Sequence, residues 1–232
     1  MATKLNPRRA PRAERAGGPT TMRDDVRAFK RELILTTAID IFFDKGYQNS
    51  TVDDIAAAMS VTKAVVYYNF NSKEEVLENI IDRTAALTHE CVDRGVNQGK
   101  TPAQKLALAC YFYADHILRH QKMIAVYFRE ERNFSAALRR RMTILEKSVD
   151  EKISSVLEAG AISGEFLKGD TRLAAITIMG MISMAFHWYR ESGRVSREGL
   201  CRHFAGQALR LVGFKGDPGL DEAAYKLAAE GD

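Results

Sequence analysis

Cysteine is scarce in this chain and does not pair: Cys91, Cys110 and Cys201 are odd in number and far apart, without the close spacing of metal ligands. They read as reduced core residues, which points to the cytoplasm rather than an oxidising compartment. No apolar run approaches the ~20 residues that a membrane-spanning helix needs, and the amino terminus lacks the apolar core of a secretory signal. Also missing are a nucleophile motif, a phosphate-cradling glycine loop and the Glu-x-x-His pairs of helical di-metal enzymes. No catalytic residue, cofactor or metal is therefore expected. Beyond Lys73 the alternation of strands never appears. The net charge is only +4 over 232 residues, so a surface that meets a polyanion must gather its cations locally. With 46% hydrophobic residues the chain can bury a small domain and a larger core.

What the chain does have is a dense helical signal from Arg31 to Lys73. Ile34, Ala38, Ile41 and Phe42 fall at i, i+4, i+7 and i+8 on one stripe, and Gly46 supplies the left-handed residue that stops a helix. Thr51 is an N-cap type three residues ahead of Asp54, and in the run that follows Ile55 and Met59 share a face, with small residues that let another helix cross closely. Ser60-Val61 has room only for a tight turn, after which Thr62 is placed to cap KAVVYYNF, a short helix with Val66 and Phe70 facing inward. Its other face carries Thr62, Lys63, Val65, Tyr67 and Tyr68 and no acid. A hydroxyl, a cation, methyls and two phenols suit a major groove of phosphates, base edges and thymine methyls. This is the layout of a helix-turn-helix DNA reader, although either tyrosine could instead be core, and a capping box explains Ser72 and Glu75 without DNA.

The organisation around this segment is all-α. Residues 1–25 mix Lys4, Arg8, Arg9, Arg12, Arg15 and Arg23 with proline and glycine, a disordered basic arm in which Arg27 of the flanking segment continues the charge. The arm either reaches a flanking minor groove, adds counterion-release affinity, or is simply solvated. The reader occupies 26–72, a helical ligand-binding and dimerisation domain 73–213, and a tail with a short amphipathic helix 214–232. A long helix with Val76, Leu77, Ile80, Ile81, Thr84 and Leu87 leaves the reader and fades between Gly95 and Gly99. Thr101-Pro102-x-Gln104 opens the next helix, a short one covers Met123 to Arg129, and Ser135 caps a long one that runs to Gly160 and Gly164. Asp170 opens another that extends to about Glu191, and Ser196 the last, which stops at Gly213. These last two long helices are apolar over wide arcs, so each is expected to bury a second face against another subunit. Gly180 either admits that close approach or relieves packing inside one subunit.

Four motifs carry a family resemblance: R-x-x-I-L-x-x-A-x-x-I-F-x-x-x-G-Y from Arg31 to Tyr47, T-V-x-D-I-A from Thr51 to Ala56, V-T-K-A-x-x-Y-Y-x-F from Val61 to Phe70, and S-K-E from Ser72 to Glu74. They cover about a fifth of the chain, which here resembles the DNA-binding domain of the tetracycline-repressor (TetR) family of bacterial transcriptional regulators. The resemblance implies that Thr51, Tyr67 and Lys73 grip phosphates, while Thr62, Lys63, Ala64, Val65 and Tyr68 lie at or near base edges. It also implies a two-fold dimer through a four-helix bundle. Ala64 and Val65 depart from the glycine and the hydroxyl residue that the family often has there, so the operator sequence does not carry over.

The effector is the less legible part. Tyr111, Tyr113, Tyr127, Phe128, Met142, Phe186, Trp188 and Tyr189 spread over the middle helices, as pocket residues would and as ordinary core residues would. His116 and His120 lie four apart without a third ligand in the sequence, which favours a helix-surface pair over a metal site. The run from Gly180 to Ser196 resembles the C-terminal helices of regulators of fatty-acid, steroid and other acyl-CoA breakdown, and so implies a coenzyme A thioester. Arg119, Lys122, Arg129, Arg132, Arg139, Arg140 and Arg141 would then neutralise its phosphates at the pocket mouth, or else form a solvated face. The expected protein is thus a homodimeric repressor on a palindromic double-stranded operator, released by a small hydrophobic or acyl-CoA-type molecule, with no membrane partner. The alternatives are a sequence-indifferent architectural DNA binder and, remotely, a helical-bundle metalloenzyme built on His116, His120 and Asp115.

Overall fold

The computed structural model describes residues 22–226, so the arm up to residue 21 and the tail from residue 227 lie outside the described residues. Every element is helical, and no strand occurs among the described residues. The reader consists of α1 (Met22–Lys45), α2 (Val52–Ala58) and α3 (Lys63–Asn69). Residues 22–25, assigned to the arm from sequence, instead form the first turn of α1, where Asp24 and Asp25 complement the positive end of the helix dipole. Gly46, at φ 81°, ends α1 as its spacing predicts.

Helix α4 (Lys73–Gln98) is the mechanical link. Ser72 caps it, and Val76, Leu77, Ile80 and Ile81 bury in the reader's core while Val92 belongs to the core of the second domain. Near its end Gly95 lies so close to the backbone of Ala109 that no Cβ would fit, which lets α4 and α5 (Pro102–Arg119) cross in contact. The rest comprises α6 (Gln121–Glu130), a 3₁₀ turn at Glu131–Asn133, α7 (Ala136–Ser163), α8 (Thr171–Ser183), α9 (Ala185–Trp188), α10 (Arg197–Leu211) and α11 (Glu222–Lys226). Thr101, Ser135, Asp170 and Ser196 each accept the backbone N–H three residues on, so the caps read from sequence set the four helix starts.

Two further boundaries differ from expectation. The helix from Asp170 does not run to Glu191: α8 ends at Ser183, and the four-residue α9 follows. The reader's core also does not stop at residue 72. Met123, Val126 and Tyr127 of α6 and Leu138 and Met142 of α7 pack in one cluster with Ile34, Phe42 and Ile80. Helix α6 is therefore a second connection between the domains, secured on its outer side by Lys122 to Asp40 at 2.6 Å and by Arg129 donating to the Phe43 carbonyl at 2.8 Å. At the far end the Tyr225 ring of α11 lies tilted against that of Tyr111 with centroids 4.6 Å apart, so this part of the tail is packed.

Candidate nucleic-acid interface

Local chemistry orients the reading helix. Thr51 accepts the Asp54 N–H at 3.1 Å and the Asp54 carboxylate takes the Thr51 N–H at 2.8 Å, the reciprocal cap that starts α2. Lys45 donates to the same carboxylate at 2.6 Å, and that bond, followed by those from Thr51, draws the Asp54 pKa down to about 2. The α2–α3 turn puts Ser60 at φ 56°, with Val61 N–H bonding back to Ala56 O at 3.0 Å, a left-handed helix stop in a residue other than glycine. Thr62 stands at the N-cap of α3, but its side chain makes no cap bond, contrary to expectation, and stays free on the surface.

Val66 and Phe70 of α3 are buried, as their spacing predicts. Asn69 is buried too, its amide donating to Val65 O at 2.9 Å. Arg31 of α1 holds the Asn69 carbonyl, donates to Asn79 Oδ1 of α4 at 3.2 Å, and lies 4.0 Å over the Phe70 ring. One guanidinium thereby ties the C-terminal end of α3 to both neighbouring helices, where the helix dipole favours a cation. Sequence reading used Arg31 only as part of a motif and missed this role.

Among the described residues no protein covers the outward face of α3. Thr62, Lys63 and Ala64 are exposed, Tyr67 and Tyr68 are 45% and 66% exposed, and Val65 is half-buried. Arg27 of α1 sits 5.9 Å from the Tyr68 ring, adding a cation beside this face. The lack of an acid along α3 is offset from the neighbouring helix: Asp53 of α2 pairs with Lys63 at 2.9 Å and raises the lysine's pKa. Lys73 has structural work as well. Its ammonium donates to Tyr47 O and Ser50 O, both at 2.8 Å, and lies 4.3 Å over the Tyr47 ring. It clamps the α1–α2 loop and keeps one N–H for an outside acceptor.

A second site lies in the helical domain, a largely apolar cavity of about 310 Å³ between α4, α5, α6, α7 and α8. Tyr113, Tyr127 and Phe128 line it; Tyr111, Met142, Phe186, Trp188 and Tyr189 do not. The reason is helical phase: Tyr111 and Tyr113 point apart on α5, and Tyr111 faces α11 instead. Met142 lies in the reader-side core. The break after α8 carries Phe186, Trp188 and Tyr189 off its axis: Phe186 stacks on the Phe128 ring at 5.3 Å, while Trp188 is exposed. Glu146 and Asp150 line the cavity and were not picked out, although they flank the inward stripe Leu145, Val149 and Ile153 of α7. The basic residues proposed for a pocket mouth are not among the residues lining the cavity. Arg119 bonds Asp115, Lys122 and Arg129 bind α1, Arg139 bonds the Arg132 carbonyl, and Arg141 pairs with Asp82.

His116 is buried rather than on the helix surface, its ring 5.1 Å from that of His120, and burial followed by that neighbour draws its pKa down to about 3. No group of three or more potential metal ligands occurs among the described residues.

Comparison with known proteins settles the family. Residues 34–80 match the model for bacterial regulatory proteins of the tetR family, and residues 99–212 match the tetracyclin repressor-like C-terminal domain. The chain belongs to the TetR family. Similar curated proteins include the fatty acid metabolism regulator protein of Bacillus subtilis strain 168, 26% identical over 64% of this chain and 77% of that one. The HTH-type transcriptional repressor KstR2 of Rhodococcus jostii strain RHA1 is 27% identical over 75% of this chain and 87% of its own length. Among solved structures, AibR in complex with isovaleryl coenzyme A and operator DNA shares the fold, with a TM-score of 0.69 at 22% identity, over 77% of this chain and 97% of that one. This TetR-family chain is a DNA-binding transcriptional regulator, and no helix of its described residues is long and apolar enough to cross a membrane.

Proposed function

We propose that the protein is a dimeric transcriptional repressor that reads a palindromic operator with α3 of each copy and releases it when a small, largely apolar effector fills the cavity beside α4 and α6. The observation that carries this reading is the uncovered outer face of α3. On it Thr62, Lys63, Ala64, Val65 and Tyr68 meet base edges. Tyr67, Thr51 and the remaining N–H of Lys73 hold phosphates, which fix register without choosing sequence. Asp53 must give up Lys63 for that contact, which disfavours misplaced docking.

Dimerisation through α8 and α10 is supported by what these helices leave uncovered. Leu173, Ile176 and Met184 are exposed at helical spacing, and among the described residues a Cβ added at Gly180 or Gly206 would meet no atom outside its own helix turn within 4 Å. Packing among the described residues does not call for either glycine, and close approach of a partner helix would. Two rigidly joined readers then multiply selectivity over a two-fold site.

Of the helices that adjoin the cavity, α4, α6 and α7 also enter the reader's core, so displacing α4 or α6 tilts α3. A coenzyme A thioester, as bound by AibR, is one effector class to be tried. By linkage, an inducer that weakens operator binding is itself bound less tightly by the DNA complex. Gel-shift selection with excess non-operator duplex, followed by calorimetry of the effector with free and operator-bound protein, tests both halves. Complexes lost to random competitor remove the sequence-reading role, and equal effector affinities for the two forms remove induction.

A further inference from the structure

The cavity has a charge character that its apolar lining conceals. Glu146 and Asp150, one turn apart on α7, line the cavity and also line an adjoining polar cleft of about 740 Å³ between α7 and α8. They therefore form the sill between the two spaces. The cavity lining includes no lysine, arginine or histidine. In the cleft, Glu146, Asp150, Glu151 and Glu158 outnumber Lys147 and Arg172, and Lys147 is already paired with Glu151 at 3.5 Å. Tyr127 donates its hydroxyl to Glu146 at 2.6 Å, which aims that carboxylate, while no hydrogen-bond donor among the described residues reaches Asp150. Burial pushes the Asp150 carboxyl up, with Arg172 acting in the opposite sense.

We infer that the effector is a slim apolar molecule ending in an ammonium group, seated against Glu146 and Asp150, and that the site selects against polyanions such as coenzyme A thioesters. This rests on the reading of the cavity as the effector site. The physical reason is charge at an apolar edge: the partly buried Asp150 and the exposed Glu146 beside it are stabilised by a cation and destabilised by a further anion. The size, about 310 Å³, lies at the lower end of small-molecule sites and suits a single chain or a small ring system rather than a nucleotide.

Calorimetry on the full chain with decylamine, decanol, decanoate and decanoyl-coenzyme A, each below its micellar concentration, decides the matter. Decylamine is expected to bind at least about tenfold more tightly than decanoate, the scale of one charge-assisted hydrogen bond. The preference is expected to vanish in the Glu146→Gln/Asp150→Asn double variant and to shrink in Asp150→Asn, which breaks no hydrogen bond among the described residues and serves where the double variant folds poorly. Decanoate or decanoyl-coenzyme A binding as tightly as the amine, or an amine preference that survives both variants, overturns the charge argument and leaves the cavity reading standing. Binding of none of the four overturns both.

Discussion

Lys73→Met separates two duties that one ammonium group is asked to perform. Within the chain it donates to two carbonyls, Tyr47 O and Ser50 O, at 2.8 Å each. A hydrogen bond to a charged group contributes about 1.5–3 kcal/mol, but the half-buried position screens this pair. Tyr47 O keeps the Ser50 hydroxyl at 2.7 Å and the Ser50 N–H at 3.2 Å as donors, so only the Ser50 carbonyl is left bare. The loss is therefore near the low end, about 2 kcal/mol, which for a chain of this length lowers Tm by roughly 4–8 °C. The second duty appears in salt dependence. A phosphate contact through the third N–H adds about 0.9 per half-site to the slope of log K against log salt. Thermal unfolding and operator titrations at several salt concentrations read the two duties independently. An unchanged Tm refutes the clamp; a normal Tm dependence on the clamp with an unchanged salt slope refutes the phosphate contact.

Three further outcomes are expected. Val65→Thr gives the half-buried reading position a hydroxyl and changes the preferred bases, whereas Tyr67→Phe weakens binding to all sequences alike; an unchanged profile for the Val65 variant in a randomised-site selection refutes the docking of α3. Lys122→Ala with Arg129→Ala removes both outer ties from α6 to α1 and leaves α3 untouched, so operator affinity without effector stays within a few-fold while release by effector weakens, as a side-by-side titration measures. His116 is buried with its pKa lowered from 6.5 to about 3, so the unfolded chain binds the extra proton between those values. Its contribution to stability is complete above about pH 6.5 and is lost as pH falls toward 3; urea unfolding of His116→Gln should show a shallower acid slope over that window, and an equal slope sinks the assignment.

The reader was legible because its determinants are local. The Gly46 stop, the Thr51–Asp54 cap, the Ser60-Val61 turn and the inward pair Val66 and Phe70 all act within a few residues of one another. The cavity proposed for the effector was much less so. Of the eight aromatic and methionine candidates only Tyr113, Tyr127 and Phe128 line it, because composition says that a helix is rich in rings and only packing says which phase faces a void. None of the seven basic residues lines it, and for a related reason: Arg119, Lys122, Arg129, Arg139 and Arg141 each take a carboxylate or carbonyl partner away from the cavity, from Asp115 beside Arg119 to Asp82 across from Arg141.

By itself the amino-acid order determined an all-helical DNA reader followed by a larger helical domain, since caps, glycine stops and periods of three and four are short-range instructions. Tertiary structure alone decided that Asp53 restrains Lys63, that Lys73 clamps a loop, that α6 joins α4 as a second link, and that two carboxylates edge the cavity. Lys122 meets Asp40 across 82 positions of sequence, and Arg129 reaches Phe43 across 86. Contacts of that separation follow from how whole helices pack, and no local pattern encodes them.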